Sequence, residues 1–203
     1  MKRSTLLKLL GSFAVIGAAA SVAGLGTFAT FTSSTSASQS IQSGTVSITL
    51  GATGPANRLT IGATNLVAGD TIQRAVDLVN NGTASSDNLS SIQLTTTASP
   101  SSALDTDATN GLQMQIDKCS VAWTESGPPY TYTCGGTTTS VLASRAAIGA
   151  NLALASLASL TTGQTDHLRV TLTLPASAPN SLQGQSSSIS YNFVGTQRLA
   201  ASK

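Results

Sequence analysis

Two cysteines, one histidine and eight carboxylates are the side chains of this 203-residue chain whose types could do chemistry. Cys119 and Cys134 lack the Cys-x-x-Cys spacing of a redox pair and have no histidine nearby to complete a metal site, so they read as a structural disulfide. They also suggest a hairpin. Opposed residues of an antiparallel hairpin share a constant index sum, and the pairs Cys119–Cys134, Val121–Tyr132 and Trp123–Tyr130 all share one. That register puts the cysteines and the large aromatics on one face, with 124–129 as the loop. Closing the loop between the cysteines should stabilise the fold by about 3 kcal/mol.

The lone histidine, His167, follows Asp166, and alternation puts it on the face opposite Leu168, toward solvent. No His-Glu-x-x-His and no Gly-x-Ser-x-Gly accompanies it, so neither a zinc peptidase nor a serine hydrolase is signalled. The acidic residues are too scattered for a glycosidase pair. The run Asp105-Thr106-Asp107-Ala108-Thr109-Asn110-Gly111 is one residue longer than a calcium loop and lacks the distal glutamate, so it reads as a polar turn. No catalytic residue, cofactor or metal ligand is therefore expected, and the chain is not expected to be an enzyme.

The elements that carry these residues are strands. Serine and threonine make up more than a quarter of the chain, and charged residues only 9%. Thr-rich, Glu- and Lys-poor sequence favours pleated, half-buried surfaces over exposed helices. Apolar residues alternate at Val46, Ile48 and Leu50; at Ile72, Val76 and Leu78, with Arg74 interrupting; at Leu168, Val170, Leu172 and Leu174; and at Ile189, Tyr191 and Phe193. Turn residues separate them at 51–55, 80–82, 100–102, 135–136 and 175–179. The Ala- and Leu-rich stretch 141–160 has room for one short helix. An echo links Leu66–Thr71, leading to Val76 and Leu78, with Leu160–Thr165, leading to Val170 and Leu172. A turn and core strand used twice is what the two sheets of a sandwich would produce. The expected architecture is an all-β antiparallel sandwich.

Residues 1–29 read as a secretory signal peptide. Lys2, Arg3 and Lys8 open it, an apolar stretch runs from Leu9 to Leu25, and small residues place cleavage between Ala29 and Thr30, with Ala37 as a second option. The competing reading is an uncleaved anchor over 9–31, but Gly, Ala and Ser make that stretch only weakly apolar. Without the leader, seven basic side chains face eight acidic ones, and no basic stripe marks a nucleic-acid binder. The expected organisation is a 1–29 leader, a 30–43 arm and one domain over 44–203, secreted, with membrane contact only through the leader.

Several ordered segments carry a resemblance. They are Gly26-Thr27-Phe28-Ala29-Thr30-Phe31, Ser43-Gly44-Thr45-Val46, Leu66 to Thr71, Val79-Asn80-Asn81-Gly82, Asn180 to Gly184, Ile189 to Phe193, and Thr196-Gln197. Over about residues 22–98 and 160–198 the chain resembles the TasA/CalY (camelysin) family of secreted biofilm-matrix fibre proteins. The resemblance implies a jelly-roll-like sandwich that polymerises head-to-tail, with the segment after the cleavage site adding as a donor strand to the next copy. Here that segment is 30–43, uncharged and free of proline, with Phe31 and Ile41 as pocket anchors. The implied partners are further copies of the chain and other matrix components. The metallo-endopeptidase activity ascribed to some members has no motif here to carry it. A monomeric, adhesin-like binding module is the main alternative, and a camelysin-like protease a lesser one.

Overall fold

The computed structural model describes residues 47–59 and 66–199. The leader, Ala29, Thr30, Ala37, Phe31, Ile41 and the rest of the arm lie outside the described residues.

The described chain is an antiparallel β-sandwich. Its large sheet has the order β1 (Ile48–Leu50), β2 (Thr71–Asn80), β9 (Thr165–Thr173), β4 (Gln113–Cys119), β7 (Thr138–Ala146). The small sheet has the order β10 (Ile189–Gln197), β3 (Leu89–Ala98), β8 (Gly149–Ala153). A separate two-stranded hairpin joins β5 (Thr124–Ser126) to β6 (Thr131–Thr133). The chain changes sheet between β2 and β3, β3 and β4, β7 and β8, β8 and β9, and β9 and β10, a jelly-roll-like winding.

The expected alternation is what fills the core. Val76 and Leu78 of β2, Leu168 and Val170 of β9, and Met114 and Ile116 of β4 meet Ile92 and Leu94 of β3, all essentially without exposure. At about 25 cal/mol per Å² of apolar surface, such burial dominates the stability of the fold.

Three sequence expectations need correction. The stretch 141–160 carries no helix; it contributes most of β7, all of β8 and a loop. Val141 and Leu152 bury on the sandwich, and Asn151 and Ser156 take positive φ, 52° and 57°, which a helix does not allow. The short helix lies instead at Ala103–Thr106 (α1), where the Ser102 hydroxyl accepts from the Leu104 N–H and the Asp105 carboxylate from the Ser102 N–H, a capping box. The two echoing turns, at Gly69 and Gly163, both take positive φ, but the strands after them, β2 and β9, pair side by side in one sheet rather than in two.

The hairpin register is the third. The Cys119–Cys134 disulfide is present, with Cα atoms 5.6 Å apart. The ladder, however, pairs Thr124 with Thr133, Glu125 with Tyr132 and Ser126 with Thr131. The turn is 127–130, and Cys119 ends β4, where it pairs with Thr138 of β7 and His167 of β9. The disulfide therefore ties the root of the hairpin to the large sheet rather than cross-linking the hairpin to itself. Trp123 and Tyr130 do not face each other.

Candidate functional site

Two places could carry function: the outer face of the large sheet, which holds the charged residues, and the free edges of the sheets.

On the outer face, alternation brings Asp77 of β2, His167 of β9 and Asp117 of β4 to one surface. His167 Nδ1 lies 2.7 Å from Asp77 Oδ1, and its backbone carbonyl accepts from Trp123 Nε1–H at 2.9 Å. Arg169, two residues on, donates to Asp117 at 2.9 Å and stacks on the Trp123 ring, 4.4 Å from its centroid. His167 thus points away from the core, as expected, but its carboxylate partner is Asp77 and not Asp166. An Asp–His pair is two thirds of a hydrolytic triad. Among the described residues, no hydroxyl, thiol or second carboxylate hydrogen-bonds its Nε2.

Asp166 serves a different purpose. It is buried in the opposite face of β9 and accepts from the N–H groups of Ala158 and Ser159 and from the Lys118 ammonium at 3.2 Å. Burial opposes its ionisation, but those donors outweigh it and hold the carboxyl below its usual range. The calcium-like run is a turn: Asp107 accepts from the N–H groups of Thr109 and Asn110, and Asp105 caps α1.

The stapled hairpin lies against β2. Arg58 makes a two-pronged pair with Glu125 at 2.7 and 2.9 Å, and Tyr132 donates its hydroxyl to the same carboxylate at 2.9 Å. Arg58 above all, with Tyr132, holds the Glu125 carboxyl below its usual range. Tyr130 sits between Arg58 and Arg74, and the Tyr132 N–H donates to Gln73 of β2. The aromatics that an adhesin could display are thus engaged in holding this hairpin down. Replacing both cysteines by serine should cost about 3 kcal/mol through the unfolded chain, read as a lower denaturation midpoint; an unchanged midpoint would show that the ion pairs alone seat the hairpin.

The sheet edges differ in how they are protected. Natural sandwiches blunt edges by shortness, bulges, proline or charge. β1 has three residues and β8 five, and the β3–β8 register shifts between Leu94 and Thr96. β7 is bulged twice against β4, carries Arg145, and has its Val141 carbonyl occupied by the Ala155 N–H, which donates to it. β10 is the least defended, with a single register shift at its very end, between Thr196 and Gln197. It runs nine residues without charge or proline, pairs with β3 in continuous register up to Thr196, and has no partner on its other side among the described residues.

Its inward side chains, Ile189, Tyr191 and Phe193, pack against the core yet stay half-buried, while Thr96 and Leu94 of β3, opposite Tyr191 and Phe193, are sealed. Burial pushes the Tyr191 phenol up to about 12. Near the end of β10 the lack of a side chain at Gly195 makes room for Ile48 and Leu89, since any Cβ there would overlap Ile48. The start of β1 is therefore anchored beside β10.

The sequence showed β10 as a strand but could not show that it lies at an edge. That follows from sheet order, which no local pattern encodes.

A family model described as camelysin metallo-endopeptidase matches residues 5–201. No curated protein matches the chain at a significant level. The family's description implies a metal, and the residues here do not fit one. Every His, Cys, Asp and Glu of the chain lies among the described residues, the two cysteines are joined, and no three of the four types gather where an ion could be held. No helix among the described residues is long and apolar enough to cross a membrane. With a match over nearly its whole length and the β-sandwich described above, the chain belongs to the camelysin (TasA/CalY) family.

Proposed function

We propose that this protein is a non-enzymatic structural subunit of an extracellular fibre. It is exported by its leader, cleaved after Ala29 and joined head-to-tail, with residues 30–43 of one copy adding as a strand to the β10 edge of the next. The observation that carries this reading is the least-defended edge, β10. A nine-residue edge strand whose alternate backbone groups face no partner among the described residues, beside a half-buried apolar flank, is an aggregation liability unless it has an intended occupant. Residues 30–43 have the composition of such an occupant: no charge, no proline, and Phe31 and Ile41 for the spaces beside Ile189, Tyr191 and Phe193. The contact is heterologous, so it propagates rather than closes.

Negative-stain electron microscopy of two forms tests this reading. The protein beginning at Thr30 should give filaments, and the protein beginning at Gly44 should stay monomeric. If both stay monomeric at high concentration, the fibre reading fails and a monomeric binding module replaces it.

A further inference from the structure

Charge is distributed unevenly between the two sheets. β3, β8 and β10 contain no charged residue, whereas the ion pairs Asp77–His167 and Asp117–Arg169 lie on the outer face of the large sheet. The outer face of the small sheet is correspondingly a neutral, hydrogen-bonding surface. Cross-strand register sets Ser190 beside Thr97, Asn192 beside Thr95, and Val194 beside Gln93. Ser190, Asn192 and Thr97 are exposed, and Val194 remains 48% exposed. The nearest cations lie at the margins: Arg145 by Gly149 at the start of β8, and Arg198 just past β10.

We infer that this face is a lateral contact between copies, small sheet against small sheet. A neutral face meets its own copy without like-charge opposition, whatever the salt, whereas the large-sheet face would bring its ion pairs against one another. Amide and hydroxyl side chains both donate and accept, so a self-contact can satisfy them. Size sets the limit. Strands of ten, five and nine residues give roughly 400 Å² per copy from standard strand spacings. A stable dimer needs about 800 Å² per partner. One such contact is therefore too weak to hold two monomers, and many in a row, as on neighbouring fibres, are strong through multivalency. The inference deepens the fibre reading by naming what joins fibres sideways, but its test does not require that fibres form.

The protein is attached through a C-terminal biotin to streptavidin beads, which display many copies. Wild-type beads should clump, and 1 M salt should not disperse them. The pair Asn192→Lys with Thr97→Lys, and the pair Asn192→Glu with Thr97→Glu, should each abolish clumping while keeping the wild-type melting temperature. Mixing lysine beads with glutamate beads should restore clumping, now dispersed by salt. That recovery excludes misfolding as the cause of the loss. Dispersed wild-type beads, clumping that survives either variant pair, a mixture that fails to recover, or clumping that requires an added neutral polysaccharide would each overturn the inference. Clumping beads from a protein that never forms filaments would sink the fibre reading and leave this one standing.

Discussion

A peptide of residues 30–43, added in molar excess to the assembling protein, should stop filament growth and leave short, capped species. The edge is the reason. β10 offers one row of free backbone groups per copy, and the arm of the neighbouring copy is its proposed occupant. A free peptide competes for the same row but carries no sandwich behind it, so each addition ends a chain. The same peptide should raise the melting temperature of the protein beginning at Gly44, because a ligand that binds only the folded state stabilises it by RT ln(1 + [L]/Kd), about 2.7 kcal/mol at a hundredfold excess over Kd. Placing aspartate at both Phe31 and Ile41 of the peptide should remove both effects, since an unpaired carboxylate cannot enter an apolar flank at tolerable cost. Growth unaffected by the unmodified peptide would mean that the arm and the edge do not meet.

Asp166→Ala should be among the most damaging single changes in the sandwich. The carboxylate is 2% exposed and holds together the 158–159 turn and Lys118. Removing it leaves two backbone N–H groups without their acceptor and a partly covered ammonium without its counter-charge, a loss of about 3 kcal/mol. For a chain of this size that lowers the melting temperature by roughly 6–12 °C. The effect has a definite pH dependence. The folded carboxyl lies below its ordinary value of 3.8, so its contribution is complete above that value and is lost as the pH falls through the folded one. The gap between wild type and variant should therefore be constant near neutrality and should narrow below about pH 4. A gap of the same size at pH 2 would show that the carboxylate acts by shape alone.

Much of this molecule can be read from the sequence because strand patterning is local. Leu168, Val170, Leu172 and Leu174 announce β9, and Ile189, Tyr191 and Phe193 announce β10. β3 escaped notice because Thr96 stands where an apolar residue would be expected. It is buried with its hydroxyl donating to the Ala147 carbonyl at 2.7 Å and accepting from the Gly149 N–H. The 141–160 stretch misleads in the opposite sense: alanine and leucine favour helix, but packing of Val141 and Leu152 into the sandwich overrides propensity.

The partner of a chosen residue is harder to read than its element. A constant index sum holds only within one ladder, and Cys119 belongs to β4 rather than to the β5–β6 hairpin. His167 meets Asp77 across ninety residues of sequence because β2 and β9 are neighbours, which no spacing reveals. The least-defended edge is of the same kind, a property of sheet order.

The most direct test of the central claim is amide hydrogen exchange along β10, compared between filaments and the monomer beginning at Gly44. In an antiparallel edge strand, alternate amides face the free side. The account predicts that these β10 amides exchange quickly in the monomer and become protected in the filament, with the protection of the β3 amides little changed. Filaments whose free-side β10 amides exchange as fast as those of the monomer would show that the chain assembles through some other surface.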